Sequence, residues 1–123
     1  MPREIKITAG GVEMTAKLDD SETAEAIWDA LPMNGRVNTW GDEIYFGIPV
    51  FVGAENAKEV VDMGDIAYWP PGKAFCIFFG TTPASQGSEI RPASAVNVVG
   101  KVNGDATAFK TVNSGEPIFL DKA

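Results

Sequence analysis

The chain contains no histidine and only one cysteine, Cys76. Without an imidazole there is no Ser-His-Asp or Cys-His nucleophilic relay, and the ordinary zinc sites are excluded in the same step. Cys76 has no partner for an intrachain disulfide, and it stands inside the apolar string Phe75-Cys76-Ile77-Phe78-Phe79. It reads as a small buried hydrophobe, because a catalytic thiol needs a basic neighbour to hold its thiolate. Cations are scarce as well: 10 Lys and Arg stand against 17 Asp and Glu, a net charge of −7. That balance opposes nucleic acid and anionic membrane surfaces as partners, since Lys and Arg recruit both. No stretch approaches the roughly 20 apolar residues of a membrane-spanning helix. The N-terminal string MPREIKITAGG has no hydrophobic signal core, so a cytoplasmic location is expected.

What remains is 123 residues of 45% hydrophobic content, enough for one domain, residues 1–123, with a sizeable core. The stretch from Gly64 to Pro83 organises it. Phe75 to Phe79 is the most continuous apolar run and reads as a strand buried on both faces. Ile66 to Trp69 should pair with it across Pro70-Pro71-Gly72, where the prolines fix φ and the glycine supplies a positive φ for the reversal.

Elsewhere, Ile5-Ile7 and Val12-Met14-Ala16-Leu18 alternate with polar residues around Gly10-Gly11, which predicts a β-hairpin. Asp19, Asp20 and Ser21 offer N-cap oxygens, and Ala24, Ile27, Trp28 and Leu31 form one helical stripe ended by Pro32. A helix over 21–31 with Trp28 as a core anchor follows. Val37-Thr39 and Glu43-Phe46 read as strands around a Gly41-Asp42 turn. Residues 54–62 fit a loop with one helical turn, or an edge strand at Val60-Val61, equally well. Residues 81–94 have no periodicity and predict an exposed irregular segment, of a length often functional or mobile. Ala95–Val102 reads as a strand with a bulge at Gly100. Ala106–Val112 is a weaker helix capped by Asp105, and Pro117–Leu120 a last strand with Ile118 and Leu120 on one face. About eight short strands, one clear helix and one weak one, without any βαβ repeat, predict a mainly β barrel or sandwich.

The strings WGDEIYF (40–46), YWPPGKAFCIFFG (68–80) and RPASAVNVVGKV (91–102) give the chain a specific resemblance to short prokaryotic cyclophilin-like domains, over nearly its full length. The resemblance implies a closed β-barrel of about eight strands, related to that of the peptidyl-prolyl isomerases. Most members have no established activity. Isomerases of this kind carry an F-H-R-x-x-x-x-F-x-x-Q-type segment whose arginine polarises the prolyl amide. This chain has no such string. Arg36 comes nearest, but its spacing and the missing glutamine do not match, so no catalytic residue carries over.

Two function classes remain in contention. The first is a binding module for a small molecule or a proline-containing peptide. Its aromatic groove would be built from Trp40, Tyr45, Trp69, Phe75 and Phe79, with Arg36 or Arg91 as a positive point. Arg36, Asn38, Trp40 and Glu43 crowd one predicted hairpin and form either a satisfied structural network or the wall of that site. For each ring the competing reading is core packing, which alternation favours for Phe75 and Phe79. The second class is an atypical prolyl isomerase, a reaction that needs no covalent chemistry. A carboxylate hydrolase or metal site at Asp42, Glu43, Glu59 and Asp65 matches no calcium-loop spacing and reads as solvated surface. No cofactor or metal is expected, and dimerisation through an exposed strand or the 81–94 loop stays open.

Overall fold

The computed structural model describes residues 3–123. Its strands are β1 (Arg3–Ala9), β2 (Val12–Leu18), β3 (Met33–Arg36), β4 (Asn38–Thr39), β5 (Glu43–Gly47), β6 (Asp65–Trp69), β7 (Ala74–Phe78), β8 (Asn97–Val102) and β9 (Pro117–Lys122). One α-helix, α1 (Glu22–Ala30), follows β2, and residues 70–72 and 106–111 form 3₁₀ turns. All nine strands belong to one antiparallel sheet in the order β3-β9-β1-β2-β8-β6-β7-β5-β4. This is the expected mainly β, nearly closed barrel, with nine strands in place of about eight.

The order explains how the sheet closes. Its two edge strands, β3 and β4, are consecutive in the chain and separated only by Val37. The peptide itself therefore joins the two edges, and the barrel is nearly closed without a ladder between them. Val37 is held there by its N–H to the Glu116 carbonyl at 2.9 Å and by the Gly115 N–H to its own carbonyl at 2.7 Å. Across the same seam the Phe46 ring of β5 packs against Gly35 of β3, where a Cβ would stand 2.7 Å from the ring.

Alternation sends Ile5, Ile7, Ala16, Leu18, Ile44, Phe46, Ile66, Tyr68, Phe75, Ile77, Ile118 and Leu120 into the barrel interior. Tyr68 is the interior's one phenol, and its hydroxyl donates to the Val50 carbonyl, which satisfies it. Helix α1 is capped as expected, Ser21 accepting from the Ala24 N–H at 3.1 Å, and it adds Ala24 and Ile27 to the same core. The 106–111 turn, capped by Asp105, adds Phe109. Trp28 packs half-buried against this core, flanked by Arg3 and Lys122 at 5.8 and 4.8 Å from its ring centroid.

A second, smaller core lies on the outer wall. Ala67, Ala74, Cys76 and Phe78 face outward from β6 and β7 and are covered by Val61, Ile90 and Val96. Here the structure corrects the expectation of an exposed 81–94 segment. It is irregular, but Thr82, Ile90 and Pro92 are buried, and Ile90 and Val96 bridge to Val61 and Lys58. The physical reason is that β7 is apolar on both faces, so its outer face needs a lid.

Residues 54–62 form neither a full helix nor a strand. Glu55 instead caps α1, its carboxylate accepting the Glu22 and Thr23 N–H groups at 3.0 and 2.9 Å. Buried Asn97 ties the same segment down through the Glu55 N–H and the Gly53 carbonyl.

The reversal after β6 also differs from expectation. Lys73, not Gly72, takes the positive φ, at 49°. Gly72 is needed for another reason: a Cβ there would meet the Trp69 ring at 2.5 Å. The bulge in β8 falls one residue before the expected Gly100: Ile66 pairs with Gly100 and Ala67 with Val98, so that Val99 is the extra residue. A Cβ on Gly100 would sit 1.9 Å from the Lys17 carbonyl oxygen of β2, backbone that cannot swing aside. Gly100→Ala should therefore destabilise the fold by roughly 3 kcal/mol or more in a urea melt. Gly47→Ala has nothing within 4 Å of its new methyl, and should stay within about 0.5 kcal/mol of the parent. Equal melts for the two variants would show that β2 and β8 do not approach so closely.

Candidate functional site

Between the outer wall and its lid a cavity of about 200 Å³ remains. Strand β5 contributes Glu43 and Tyr45, which alternation places on the outward face, and the turn before it contributes Trp40. Trp69 closes the far side from the end of β6, and Pro92, Ala93 and Val96 form the lid. The cavity is well under the roughly 300–1,000 Å³ of sites that enclose a drug-sized molecule, so it suits a head group or one side chain.

The lid is firmly shaped. The Thr82 N–H and the Arg91 N–H both donate to the Ser85 hydroxyl, at 2.9 and 3.3 Å, while the Thr82 hydroxyl donates to the Arg91 carbonyl. The Trp69 indole N–H donates to Ser94 Oγ at 2.6 Å, tying the lid to β6 and using the ring's only donor.

Glu43 is the only charged residue of the lining. It is 6% exposed. Among the described residues none makes a salt bridge to it. Burial pushes its carboxyl up to about 7, and the nearby Cys76 thiol on the adjacent strand, which itself donates to the Ala74 carbonyl at 3.8 Å, opposes that rise only in part. The thiol is itself raised well above its usual range, first by burial and then by the neighbouring carboxylate, so it is no nucleophile.

The structure brings together Trp40, Glu43, Tyr45 and Trp69 of the residues singled out in the sequence, and separates the rest. Phe75 and Phe79 point into the barrel and belong to the interior core. The strand period puts them opposite the groove they were expected to line. Arg36 is exposed on β3, its guanidinium donating to the Gly115 carbonyl at 2.9 Å, neither in the cavity nor against Glu43. Asn38 is exposed on β4, with its amide 3.5 Å from the Tyr45 carbonyl oxygen. Arg91 lines an adjoining hollow beyond Pro92 and Ala93, where Glu89 at 2.6 Å and Glu59 at 3.8 Å hold it. Asp42 turns to Lys110 and Asp65 to Lys101. Among the described residues no three potential ligands gather into a metal site. Sequence reasoning missed Pro92, Ala93 and Val96. The signal was present in the two-faced apolar run of β7, which demands a cover.

The family model described as cyclophilin-like matches residues 3–121. The chain belongs to the cyclophilin-like family. Its fold is similar to the solution structure of a hypothetical protein from Archaeoglobus fulgidus. The two are 44% identical with a TM-score of 0.84, over 99% of this chain and 95% of that one. No curated protein matches this chain. No helix of this cyclophilin-like barrel, among the described residues, is long and apolar enough to cross a membrane.

Glu43 makes the barrel's stability pH-dependent in a definite direction. Its folded pKa, about 7, lies above the ordinary value of 4.5. The unfolded chain therefore releases this proton first as pH rises, and stability falls between those two values. By linkage the loss approaches roughly 3 kcal/mol once the pH is past the folded value. Glu43→Gln keeps the neutral shape, so its melting temperature should match wild type near pH about 4.5 and exceed it increasingly up to about pH 8. A difference between the two proteins that does not vary with pH would mean that the carboxylate is not desolvated.

Proposed function

We propose that this cyclophilin-like barrel is a binding module that takes a small ligand, or one side chain of a peptide segment, in the outer-wall pocket. One observation carries the reading. A carboxylate is desolvated between Trp40, Tyr45 and Trp69 with no salt-bridge partner among the described residues, in a cavity that side chains leave unfilled. A group serving packing alone would be replaced at no loss by an apolar one, because burying an unpaired acid costs stability. Convergent rings around one polar group are the usual lining of a ligand site.

The family fold and the same acid favour a second reading, an atypical prolyl isomerase. A carboxyl that keeps its proton near neutrality can donate to a prolyl amide nitrogen and weaken the C–N double-bond character behind the roughly 18–20 kcal/mol barrier. Arg36 has no part in it, being outside the pocket. The binding reading ranks first because the chain lacks the arginine-bearing segment with which isomerases of this kind polarise the prolyl amide.

A fragment screen by amide NMR tests the first reading. Shifts should cluster at Trp40, Tyr45, Trp69 and Val96. Ala93→Trp should abolish them while leaving the melting temperature nearly unchanged, because Ala93 is exposed at the pocket mouth. Shifts scattered elsewhere, or surviving the plug, would sink it. In a protease-coupled proline-peptide assay the binding reading predicts the uncatalysed rate even at high protein concentration. Acceleration that Glu43→Gln removes would establish the isomerase instead.

A further inference from the structure

We propose that the group this pocket takes is a cation, an alkylammonium head held against the Glu43 carboxylate and walled by the rings of Trp40, Tyr45 and Trp69. The inference rests on the binding reading above and names the chemistry of its ligand. It follows from which charges the lining has and lacks. Glu43 is its one charged residue, and no lysine or arginine borders the cavity. An anion would meet an unpaired carboxylate across a short gap. A neutral apolar ligand would strip that carboxylate of its remaining water without replacing it. A cation supplies the missing counter-charge, and the faces of tryptophan and tyrosine attract it through their quadrupoles.

The surroundings agree. The groups that face Glu43 are the Cys76 thiol on β7 and the Tyr45 phenol on β5. On the lid Arg91 is already engaged by Glu89 and Glu59, and on the preceding turn Asp42 is turned to Lys110. None of them neutralises the carboxylate. The net charge of −7 adds a long-range field that favours cations over anions. The cavity of about 200 Å³ admits a methylated ammonium but not a nucleotide or a flavin. An alkylammonium reaches such a pocket either as a free small molecule or as a methylated lysine side chain, and both present the same head.

The test uses intact protein and follows tryptophan fluorescence and amide NMR shifts. The probes are choline, its uncharged isostere 3,3-dimethylbutanol, and a peptide carrying trimethyllysine. Choline should bind at least about tenfold more tightly than the alcohol, and Glu43→Gln should erase that preference. Wild type supplies an arm that needs no variant. Choline affinity should rise as pH is raised through about 7, because a protonated Glu43 must first lose its proton, while the alcohol shows no such rise. A peptide binding more tightly than choline supports the proposal and identifies the source. Equal binding of choline and alcohol, with neither pH nor Glu43→Gln altering the ratio, overturns the cation and leaves the binding module standing. Folded wild type that none of the three probes saturates at millimolar concentration overturns the cation, and the fragment screen alone then decides the binding module.

Discussion

The double-sided burial of β7 is the constraint on which the rest of the molecule depends. Every residue from Ala74 to Phe79 is buried. A barrel wall has only one interior face, so Phe75 and Ile77 can be satisfied by closing the sheet while Cys76 and Phe78 cannot. The chain resolves this by folding residues 81–96 back over the outer wall and pinning them with Ile90 and Val96. The lid is thus a requirement of the wall, and the pocket is the space the two leave between them.

That origin accounts for the chemistry of the site. Glu43 occupies an outward position on β5, which on an uncovered barrel would face water. The lid desolvates it. The fold therefore holds an acid in an environment that raises its proton affinity, with two indoles and a phenol in place of water. The arrangement lowers stability above mid-acid pH, as the carboxyl loses its proton. Perturbed acids of this kind gather at functional sites because a purely structural position has no use for them.

Closure of the barrel is a separate matter, and it works through connectivity. The sheet's two edges are consecutive strands joined by Val37, so no exposed edge is left far from its partner. Phe46 pressed on Gly35 seals the seam from inside, and α1 with the 106–111 turn fills the openings with Ala24, Ile27 and Phe109. The wall carrying the pocket, β5-β7-β6-β8, lies on the other side of the sheet order from β9-β1-β2. Two halves with different duties share one core.

The sequence by itself determined the elements whose signal is local. Period-two alternation around Gly10-Gly11, the Ser21 cap and helical stripe, the proline-rich reversal and the apolar run of β7 each report their own conformation, because the forces behind them act over a few residues. The strings at 40–46, 68–80 and 91–102 carried the barrel by resemblance. Only the tertiary structure decided what lies across a gap in sequence: that Arg36 stands apart from Trp40, that Phe75 and Phe79 turn inward, that Glu55 caps a distant helix, and that Pro92 and Ala93 roof Glu43. The side on which a residue lands, and what lies over it there, are set by register and by long-range packing. A carboxylate becomes a site only when a remote segment excludes its water, and no nearest-neighbour pattern encodes that.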